Sequence, residues 1–218
     1  MPQVLQVQTP IHGRVLVEPA ATRPVGMLVG FHGYAETADV QFARLAAVPG
    51  ADAWTRVSIQ ALHRFYRGRS EEVVASWMTR QDRDQAIADT LQYVNAAIDA
   101  VQATDASPAL LVFAGFSQGV AMAFRAAARG RRRSLGVIAV GGGVPPELAA
   151  DDSAHFTPTL LVRGARDDWY TEALMAADVA VLERRGVRVR AVQFDGVHEW
   201  GADATGEAGR FLSAVQSF

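Results

Sequence analysis

Short apolar runs recur along the chain and are separated by polar turns and by longer segments with a helical pattern. Runs of this length that are rich in β-branched residues predict strands. They occupy residues 4–7, 15–17, 25–31, 54–59, 110–114, 135–140, 159–162 and 187–194. The first two runs lie close together and predict an opening hairpin.

Five segments have the pattern of helices, and they cover residues 37–48, 82–103, 118–129, 171–185 and 205–215. The second segment is the clearest, because its large apolar residues recur at spacings of four, three, four and three. Those residues are Ile87, Leu91, Val94, Ile98 and Val101. They form one stripe along a helix, which predicts that this face of the helix is buried.

The alternation of strands with helices predicts an α/β fold with a mostly parallel central sheet and helices on both of its faces. No repeat, low-complexity tract or linker divides the sequence, so we expect residues 1–218 to form a single domain. In parallel sheets of this kind, ligands bind beyond the carboxyl ends of the strands. Reactive residues are therefore expected directly after the apolar runs.

Composition excludes several classes of chemistry. All 21 basic residues are arginine, and the chain has no cysteine. Lysine Schiff bases, lysine-attached pyridoxal phosphate, Walker-type nucleotide loops, disulfides and thiolate catalysis are therefore excluded. The formal net charge is −2 and no basic stripe dominates, so no nucleic-acid partner is expected.

The sequence also bears on the compartment. No apolar run approaches the roughly 20 residues that a membrane-spanning helix needs, so no membrane association is expected. Residues 1–10 lack the basic segment and the apolar core of a secretory signal. Together with the absence of cysteine, these features predict a soluble, cytoplasmic protein.

Residues 115–119 read Gly-Phe-Ser-Gln-Gly and lie between a predicted strand and a predicted helix. A serine flanked by glycines in this context is typical of a nucleophile elbow, a tight turn that lifts the serine hydroxyl out of the sheet. Small residues are needed on both sides because larger side chains would collide with neighbouring backbone. Ser117 is therefore the candidate nucleophile.

A serine hydroxyl needs an adjacent base, and in α/β-hydrolases an acid and then a histidine follow the serine along the chain. Of the two downstream histidines, His155 precedes a predicted strand, whereas His198 follows one and lies in a carboxyl-end loop. His198 is therefore the candidate base. Either Asp167 or Asp168, after the strand at 159–162, is the candidate acid that orients the base. A solvated turn is the alternative interpretation of these two acids.

An oxyanion formed at this site would need two backbone N–H donors. Gln118, the residue after the nucleophile, is expected to supply one of them. The loop after an early strand is expected to supply the other, and we assign it to the N–H group of Tyr34. His32, in the same loop, is expected to be a structural, hydrogen-bonded histidine and not the base.

Together these motifs resemble the phospholipase/carboxylesterase family of α/β-hydrolases, which includes acyl-protein thioesterases and small bacterial carboxylesterases. The matching residues are His32-Gly33, the Gly-Phe-Ser-Gln-Gly elbow, the segment from Gly164 to Asp167, and His198. The resemblance spans residues 25–215. It implies that Asp167 and not Asp168 is the acid, and it supports Tyr34 and Gln118 as the oxyanion positions.

Three segments depart from the family pattern, and all of them surround the site. Tyr34-Ala35-Glu36 stands where the family has a leucine-like residue followed by Gly-Asp. Asp168-Trp169-Tyr170 stands where proline and valine are common, and residues 62–80 look unlike the common members. These departures concern the substrate more than the chemistry. A dienelactone-hydrolase-like enzyme, a neighbour in fold, would have cysteine at the elbow.

The segments around the site give expectations for the cleft. Only residues 141–158 separate two strands between which many lipases insert a lid, so we expect no lid domain and an open cleft. Arg67 and Arg69, in a loop after the strand at 54–59, are candidates to bind a carboxylate or phosphate of the substrate. Pairing of these arginines with Glu71 and Glu72 in a solvated loop is the favoured alternative.

The sequence as a whole predicts a serine hydrolase that cleaves small-molecule carboxylic esters or thioesters through an acyl-enzyme, with no metal and no organic cofactor. Trp77, Trp169 and Trp200 are candidate walls for the acyl group, with core packing as the alternative for each. A non-catalytic binding protein on a hydrolase scaffold and an acyltransferase are the alternative functions. The sequence leaves the oligomeric state open, including a homodimer.

Overall fold

A computed structural model describes residues 2–104 and 108–216 of the chain. Within those residues, the strands are β1 (Val15–Glu18), β2 (Met27–Phe31), β3 (Thr55–Ile59), β4 (His63–Tyr66), β5 (Val73–Ser76), β6 (Leu111–Phe116), β7 (Ser134–Val140), β8 (Thr159–Gly164) and β9 (Val189–Phe194). The helices are α1 (Ala38–Ala47), α2 (Arg83–Thr104), α3 (Gln118–Arg129), α4 (Pro146–Ala149), α5 (Glu172–Arg184) and α6 (Ala202–Val215). The predicted helices, and the predicted strands from residue 15 onward, are confirmed with small shifts at their ends.

Seven strands form one central sheet in the order β1-β3-β2-β6-β7-β8-β9. β1 is antiparallel to β3, and the other neighbours pair in parallel, which confirms the predicted mostly parallel sheet. The register sets Phe31 of β2 opposite Gly115 of β6, and Phe116 of β6 opposite Val140 of β7. The loops that follow these strands therefore meet at one edge of the sheet.

Side chains of the central strands point alternately into two apolar cores, one on each face of the sheet. On β6, Leu111 and Phe113 belong to the core that α2, α3 and α5 cover. Val112 and Ala114 belong to the core that α1 and α6 cover. The predicted arrangement of helices on both faces is therefore present.

Helix α2 carries the apolar stripe that its spacing predicted. Ile87, Val94, Ile98 and Val101 are buried, and Leu91 is half-buried. The helix has 22 residues, and its other face carries polar side chains. Accordingly, no helix in the described part of the chain is both long enough and apolar enough to cross a bilayer.

The expected opening hairpin is wrong. Residues 4–7 form no strand, and the side chains of Val4 and Val7 are exposed. β1 pairs with β3 at the edge of the central sheet and not with residues 4–7. β-branched residues favour a strand only where a neighbouring strand and a surface to pack against are available. β1 has such a neighbour in β3, whereas residues 4–7 do not pair with β3.

The arginine-rich segment at 63–69, expected to be a loop, begins with β4, which pairs with β5 in a two-stranded hairpin. Sequence reasoning missed this hairpin because most of β4 is exposed, so no alternation of apolar and polar residues marks it. The turn includes Gly68 with a φ of 56°, a left-handed conformation that favours glycine. β5 also pairs with the loop after β2, through Ala75 and Glu36, and this ties the hairpin to the carboxyl edge of the sheet.

The connection between β7 and β8, residues 141–158, contains the four-residue helix α4. Glu147 of α4 forms an ion pair of 2.7 Å with Arg125 of α3 and one of 3.1 Å with Arg83 of α2. The side chain of Arg125 is only 2% exposed. Burial lowers the pKa of Arg125, and the hydrogen bond from the guanidinium to Glu147 acts against that shift. These ion pairs attach the connection between β7 and β8 to α3. The absence of a lid domain stays a prediction.

We expect Glu147→Gln to lower the free energy of unfolding by about 2–4 kcal/mol, because it leaves the buried Arg125 guanidinium without its counter-charge. Urea denaturation followed by circular dichroism measures this change. Glu183→Gln, an exposed position on α5, is the matched control and should stay within about 0.5 kcal/mol of the wild type. Equal effects of the two substitutions would contradict a structural role for the pair.

Candidate active site

Ser117 occupies a strained turn between β6 and α3. Its backbone has φ 51° and ψ −117°, and its N–H group donates to the carbonyl of Val140 at 2.9 Å. A Cβ atom at Gly115 would lie 2.5 Å from the carbonyl oxygen of Gly119. A Cβ atom at Gly119 would collide with the carbonyl oxygen of Phe31. Both glycines are therefore required by close backbone packing, as the elbow interpretation predicts.

The structure brings three of the predicted site residues into one hydrogen-bonded chain. Ser117 follows β6, Asp167 follows β8 and His198 follows β9. The Oγ atom of Ser117 lies 2.9 Å from Nε2 of His198, and Nδ1 of His198 lies 2.8 Å from Oδ2 of Asp167. Because an ionised carboxylate only accepts hydrogen bonds, His198 donates from Nδ1 to Asp167. Its Nε2 atom is then the acceptor for the Ser117 hydroxyl.

The loop after β8 fixes the carboxylate of Asp167. Oδ1 accepts the N–H groups of Trp169 at 2.9 Å and Tyr170 at 2.8 Å, which leaves Oδ2 for His198. Asp167 is 3% exposed, whereas Asp168 is exposed to solvent. Of the two acids that the sequence left open, only Asp167 reaches the imidazole, in agreement with the implication of the family resemblance.

Arg163, the next-to-last residue of β8, holds both sides of this loop. Its buried guanidinium donates to the carbonyls of Tyr170 at 3.0 Å and Ala165 at 3.2 Å. Sequence reasoning missed this role, because an arginine directly after an apolar run gives no sign of the carbonyls it contacts. The orientation of Asp167 therefore depends on a side chain that does not touch the histidine.

The loop after β2 has most of its polar backbone groups engaged around Tyr34. The Gly33 N–H donates to Oε2 of Glu36 at 2.8 Å, and the Ala35 N–H donates to the carbonyl of Ala75 at 3.0 Å. The Tyr34 N–H lies between these two anchored groups. Gln118 is the first residue of α3, where a helix leaves its N–H groups without intrahelical partners. The oxyanion roles of Tyr34 and Gln118 stay predictions.

The side chain of Gln118 forms hydrogen bonds to the segment that follows β5. Its Oε1 atom accepts the Trp77 N–H at 3.0 Å, and its Nε2 atom donates to the Met78 carbonyl at 3.1 Å. These bonds fasten the segment after β5 to the elbow. No pattern in the sequence predicts this contact, since the partners are 40 and 41 residues away from Gln118.

Glu36 and Arg44 support the site from the side of α1. The two groups form a bidentate pair with distances of 2.6 and 2.7 Å, and the Arg44 guanidinium lies 4.3 Å from the centre of the Phe116 ring. The Phe116 ring in turn lies 5.1 Å from the His198 ring. Burial tends to raise the pKa of Glu36, but the hydrogen bonds and charge of Arg44 and the hydrogen bond from the Gly33 N–H together outweigh burial, so the pKa is lowered. Glu36 is therefore an anion that can hold the Gly33 N–H.

His32 is fully buried and has partners at both ring nitrogens. Nδ1 donates to the Gly33 carbonyl at 2.7 Å, and Nε2 accepts the Ala61 N–H at 3.0 Å. Burial lowers the pKa of His32, and the hydrogen bond to the carbonyl opposes this shift only in part. The neutral ring thus holds the start of the loop, which agrees with the structural role expected from the sequence.

Trp77 lies in the core and not on the cleft. It is 1% exposed, and its indole Nε1 donates to the His32 carbonyl at 2.7 Å. Its ring packs edge-on against Phe31 with the ring centres 5.4 Å apart. The proposed role of Trp77 as an acyl-pocket wall therefore finds no support in the structure, and core packing accounts for the residue. Trp200 is also buried, at 9% exposure.

The other candidate substrate contacts differ from one another. Trp169 is 81% exposed, and its ring centre lies 6.5 Å from that of His198. Arg67 donates to the Ala35 carbonyl at 2.6 Å and pairs with Glu72 at 3.4 Å, which is the pairing that the sequence offered as the alternative. Arg69 is exposed. Within the described residues, no group of three or more acids and histidines is arranged to hold a metal ion.

A comparison with protein families gives a match over nearly the whole chain. A family model described as Phospholipase/Carboxylesterase matches residues 15–216. The chain belongs to the phospholipase/carboxylesterase family. The match includes the elbow and the loops that carry Asp167 and His198. No curated protein sequence matches the chain significantly.

Solved structures share the fold of this member of the phospholipase/carboxylesterase family. The esterase PE8 has a TM-score of 0.76 at 21% identity, covering 94% of this chain and 100% of its own. The Bacillus cereus carboxylesterase has a TM-score of 0.72 at 13% identity, covering 93% and 94%. The Zea mays acyl-protein thioesterase 2 has a TM-score of 0.71 at 17% identity, covering 94% and 100%. At these identities the likeness shows the α/β-hydrolase fold.

We expect Trp77→Phe to lower the free energy of unfolding by about 1–3 kcal/mol, because it leaves the buried His32 carbonyl without its donor. Trp169→Phe, at an exposed position, should change stability by less than about 0.5 kcal/mol. Urea denaturation of both variants measures the difference. A KM for short esters that rises in Trp77→Phe while stability is unchanged would contradict the core assignment.

The buried His32 also predicts a pH dependence of stability. Because burial lowers its pKa below the ordinary value of 6.5, the unfolded chain binds the proton more tightly than the folded protein. The stabilising contribution is therefore complete above pH 6.5 and is lost as the pH falls towards the folded pKa, by at most about 1.4 kcal/mol per pH unit. The pKa of Glu36 is also lowered, but from an ordinary value of 4.5. The stability that Glu36 contributes is therefore lost only below about pH 4.5, outside the range in which His32 titrates.

Urea titrations between pH 7.5 and 5.5 test this assignment. His32→Gln, which keeps an acceptor for the Ala61 N–H, should flatten the dependence. His63→Gln, on the exposed strand β4, should leave it unchanged. If the His32 variant kept the full slope, the dependence would belong to another group.

Proposed function

We propose that this member of the phospholipase/carboxylesterase family is a serine hydrolase that cleaves carboxylic esters or thioesters through an acyl-enzyme intermediate. The observation that carries the proposal is the hydrogen-bonded chain from Ser117 through His198 to Asp167, with distances of 2.9 and 2.8 Å. Each residue follows a different parallel strand at the carboxyl edge of the sheet. This is where α/β folds bind their ligands.

In the acylation step, the Ser117 Oγ attacks the carbonyl carbon of the substrate while its proton passes to Nε2 of His198. The carbonyl oxygen becomes an oxyanion, which the N–H groups of Tyr34 and Gln118 stabilise. The tetrahedral intermediate then collapses. The bond to the alcohol or thiol breaks, and the leaving group takes the proton from His198.

Deacylation repeats these steps with water. His198 removes a proton from water, and the resulting hydroxide attacks the acyl carbon bound to Ser117. The carboxylic acid leaves, and the proton on His198 returns to the serine oxygen. Asp167 keeps Nδ1 protonated throughout and stabilises the imidazolium that forms in each half-reaction.

The surface around Ser117 favours a substrate with an apolar group. Trp169 is 81% exposed and Tyr34 is 61% exposed, and both lie in loops that carry site residues. Exposed apolar rings beside a reactive serine are suited to bury an acyl or alkyl chain. Arg67 is already bonded to the Ala35 carbonyl and to Glu72, which supports a structural role for it over the binding of substrate anions.

The alternative of a binding protein on a hydrolase scaffold is less well supported. A protein that only binds a ligand does not need the features that orient the serine. These features are the glycines of the elbow, the hydrogen bonds of His198 to Ser117 and Asp167, and the two N–H groups that Asp167 accepts. Transfer of the acyl group to an acceptor other than water uses the same acyl-enzyme. Product analysis in the presence of alcohols distinguishes transfer from hydrolysis.

We expect Ser117→Ala to abolish labelling by a fluorophosphonate probe and to abolish hydrolysis of p-nitrophenyl esters, because the nucleophile is lost. Asp167→Asn should lower kcat by about 10⁴-fold, since the asparagine favours the wrong tautomer of His198. A panel of p-nitrophenyl esters and acyl-CoA thioesters of increasing acyl length, run at pH 7.5, measures both effects.

Asp168→Asn is the matched control, because Asp168 is exposed and adjacent, and its kcat should stay close to that of the wild type. Equal losses in the two asparagine variants would contradict the role of Asp167. A correctly folded wild type that neither labels nor hydrolyses any ester in the panel would remove the enzyme proposal.

A further inference from the structure

Trp169 is an exposed aromatic ring beside the candidate base. It is 81% exposed, whereas the other tryptophans of the chain are at most 9% exposed. The centre of its ring lies 6.5 Å from the centre of the His198 ring, and the two planes are inclined by 47°. Val197, which directly precedes His198, is 49% exposed. Exposed apolar side chains therefore flank His198, where a bound substrate can cover them.

The position of Trp169 relative to the histidine is fixed by a shared carboxylate. Oδ1 of Asp167 accepts the backbone N–H of Trp169 at 2.9 Å, and Oδ2 lies 2.8 Å from Nδ1 of His198. Arg163 holds the next residue of the same loop through the carbonyl of Tyr170 at 3.0 Å. The tryptophan and the reacting histidine are thus bound to one buried group, so the distance between the ring and the reacting atoms is set by the fold.

The chemistry of the proposed reaction decides which part of an ester lies next to His198. When the tetrahedral intermediate collapses, the bond between the acyl carbon and the leaving oxygen breaks, and the oxygen takes the proton from Nε2 of His198. The leaving oxygen must therefore lie within hydrogen-bond distance of Nε2. The Oγ atom of Ser117 lies there already, at 2.9 Å. Two of the four groups on the reacting carbon thus face His198, and the oxyanion and the acyl chain point away from it.

A second exposed aromatic surface lies on the side away from the histidine. Tyr34 is 61% exposed, and the centre of its ring lies 5.6 Å from that of the half-buried Phe65 on β4. Tyr34 belongs to the loop that is expected to supply an N–H group to the oxyanion. An acyl chain that points away from His198 has this surface beside it and does not need Trp169.

We propose that Trp169 binds the leaving group of the substrate and not its acyl chain, an inference that rests on the proposed hydrolase function. The substrate class is then an ester or thioester whose alcohol or thiol carries an apolar group close to the reacting oxygen or sulfur. The sequence offered Trp169 as a wall for the acyl group, and the proposal assigns it to the other half of the ester. The contact acts in acylation and is absent from deacylation, because the leaving group has then departed.

Two isomeric esters test this assignment. Benzyl acetate carries a benzyl group on the leaving oxygen, whereas methyl phenylacetate carries the same group on the acyl carbon. Methyl acetate lacks the ring and is the reference substrate. The kcat/KM of the wild type and of Trp169→Ala is measured for each ester by titration of the released acid at pH 7.5. The substitution should lower kcat/KM about tenfold for benzyl acetate and by less than about twofold for the other two esters.

Two further variants serve as controls. Trp169→Phe keeps an aromatic ring and should retain most of the activity towards benzyl acetate. Tyr66→Ala removes another exposed ring, one that the alternation of β4 directs to the face opposite to Phe65, and should leave all three esters unaffected. Methyl acetate also reports on the loop itself, because a disturbed Asp167 would slow the hydrolysis of every ester.

Three results would overturn the assignment of Trp169. They are a selective loss for methyl phenylacetate, an equal loss for all three esters, and no loss for benzyl acetate. Failure of the proposed hydrolase function gives a different result, since the wild type would then hydrolyse none of the esters or Ser117→Ala would hydrolyse them as fast as the wild type.

Discussion

Close backbone packing at the elbow is the constraint on which the rest of the site depends. Gly119, at the start of α3, lies against the carbonyl of Phe31, and Gly115 lies against Gly119 itself. This contact joins β2, β6 and α3 closely, and in the tight turn between the two glycines the middle residue has a positive φ. That residue is Ser117, at φ 51°. Strain of this kind persists only where the surrounding structure over-determines it, and it is common at functional sites.

The loops around the elbow are held by polar contacts that compensate for their irregular backbone. Glu36 holds the loop after β2, Arg163 holds the loop after β8, and the side chain of Gln118 holds the segment after β5. Because buried backbone groups must be paired, these side chains take the place of the missing ladder bonds. The proposed reaction therefore relies on side chains that touch no substrate. Ala35, at φ 56°, shows that the loop after β2 also tolerates backbone strain.

Local signals in the sequence were sufficient for much of this architecture. Apolar runs predicted the parallel strands, the spacing of residues such as Val94 predicted α2, and the glycines at 115 and 119 predicted the turn at Ser117. Chain order and strand ends then led to His198. These features are predictable because each depends on neighbouring residues or on a general rule of parallel sheets.

Features that depend on long-range partners were not predictable in the same way. Residues 4–7 have a strand-like composition, but β3 pairs with β1 and leaves them exposed. The sequence left Trp77 open to two interpretations, a pocket wall or core packing, and its burial, its contact with Phe31 and its bond to the His32 carbonyl place it in the core. The positions of Glu36 and Arg44 around Phe116 likewise require the packed structure. A single sequence does not encode such partners as a local pattern.

If Ser117 carries the acyl group, the acyl-enzyme can be trapped and the modified residue identified. The protein is mixed with p-nitrophenyl acetate, quenched in acid within the first turnover, and mapped by peptide mass spectrometry. We expect one acetyl group on the peptide that contains Ser117, formed together with the initial release of p-nitrophenol, and none in Ser117→Ala. Acetylation of a different residue, or acetyl transfer that persists in Ser117→Ala, would contradict this expectation.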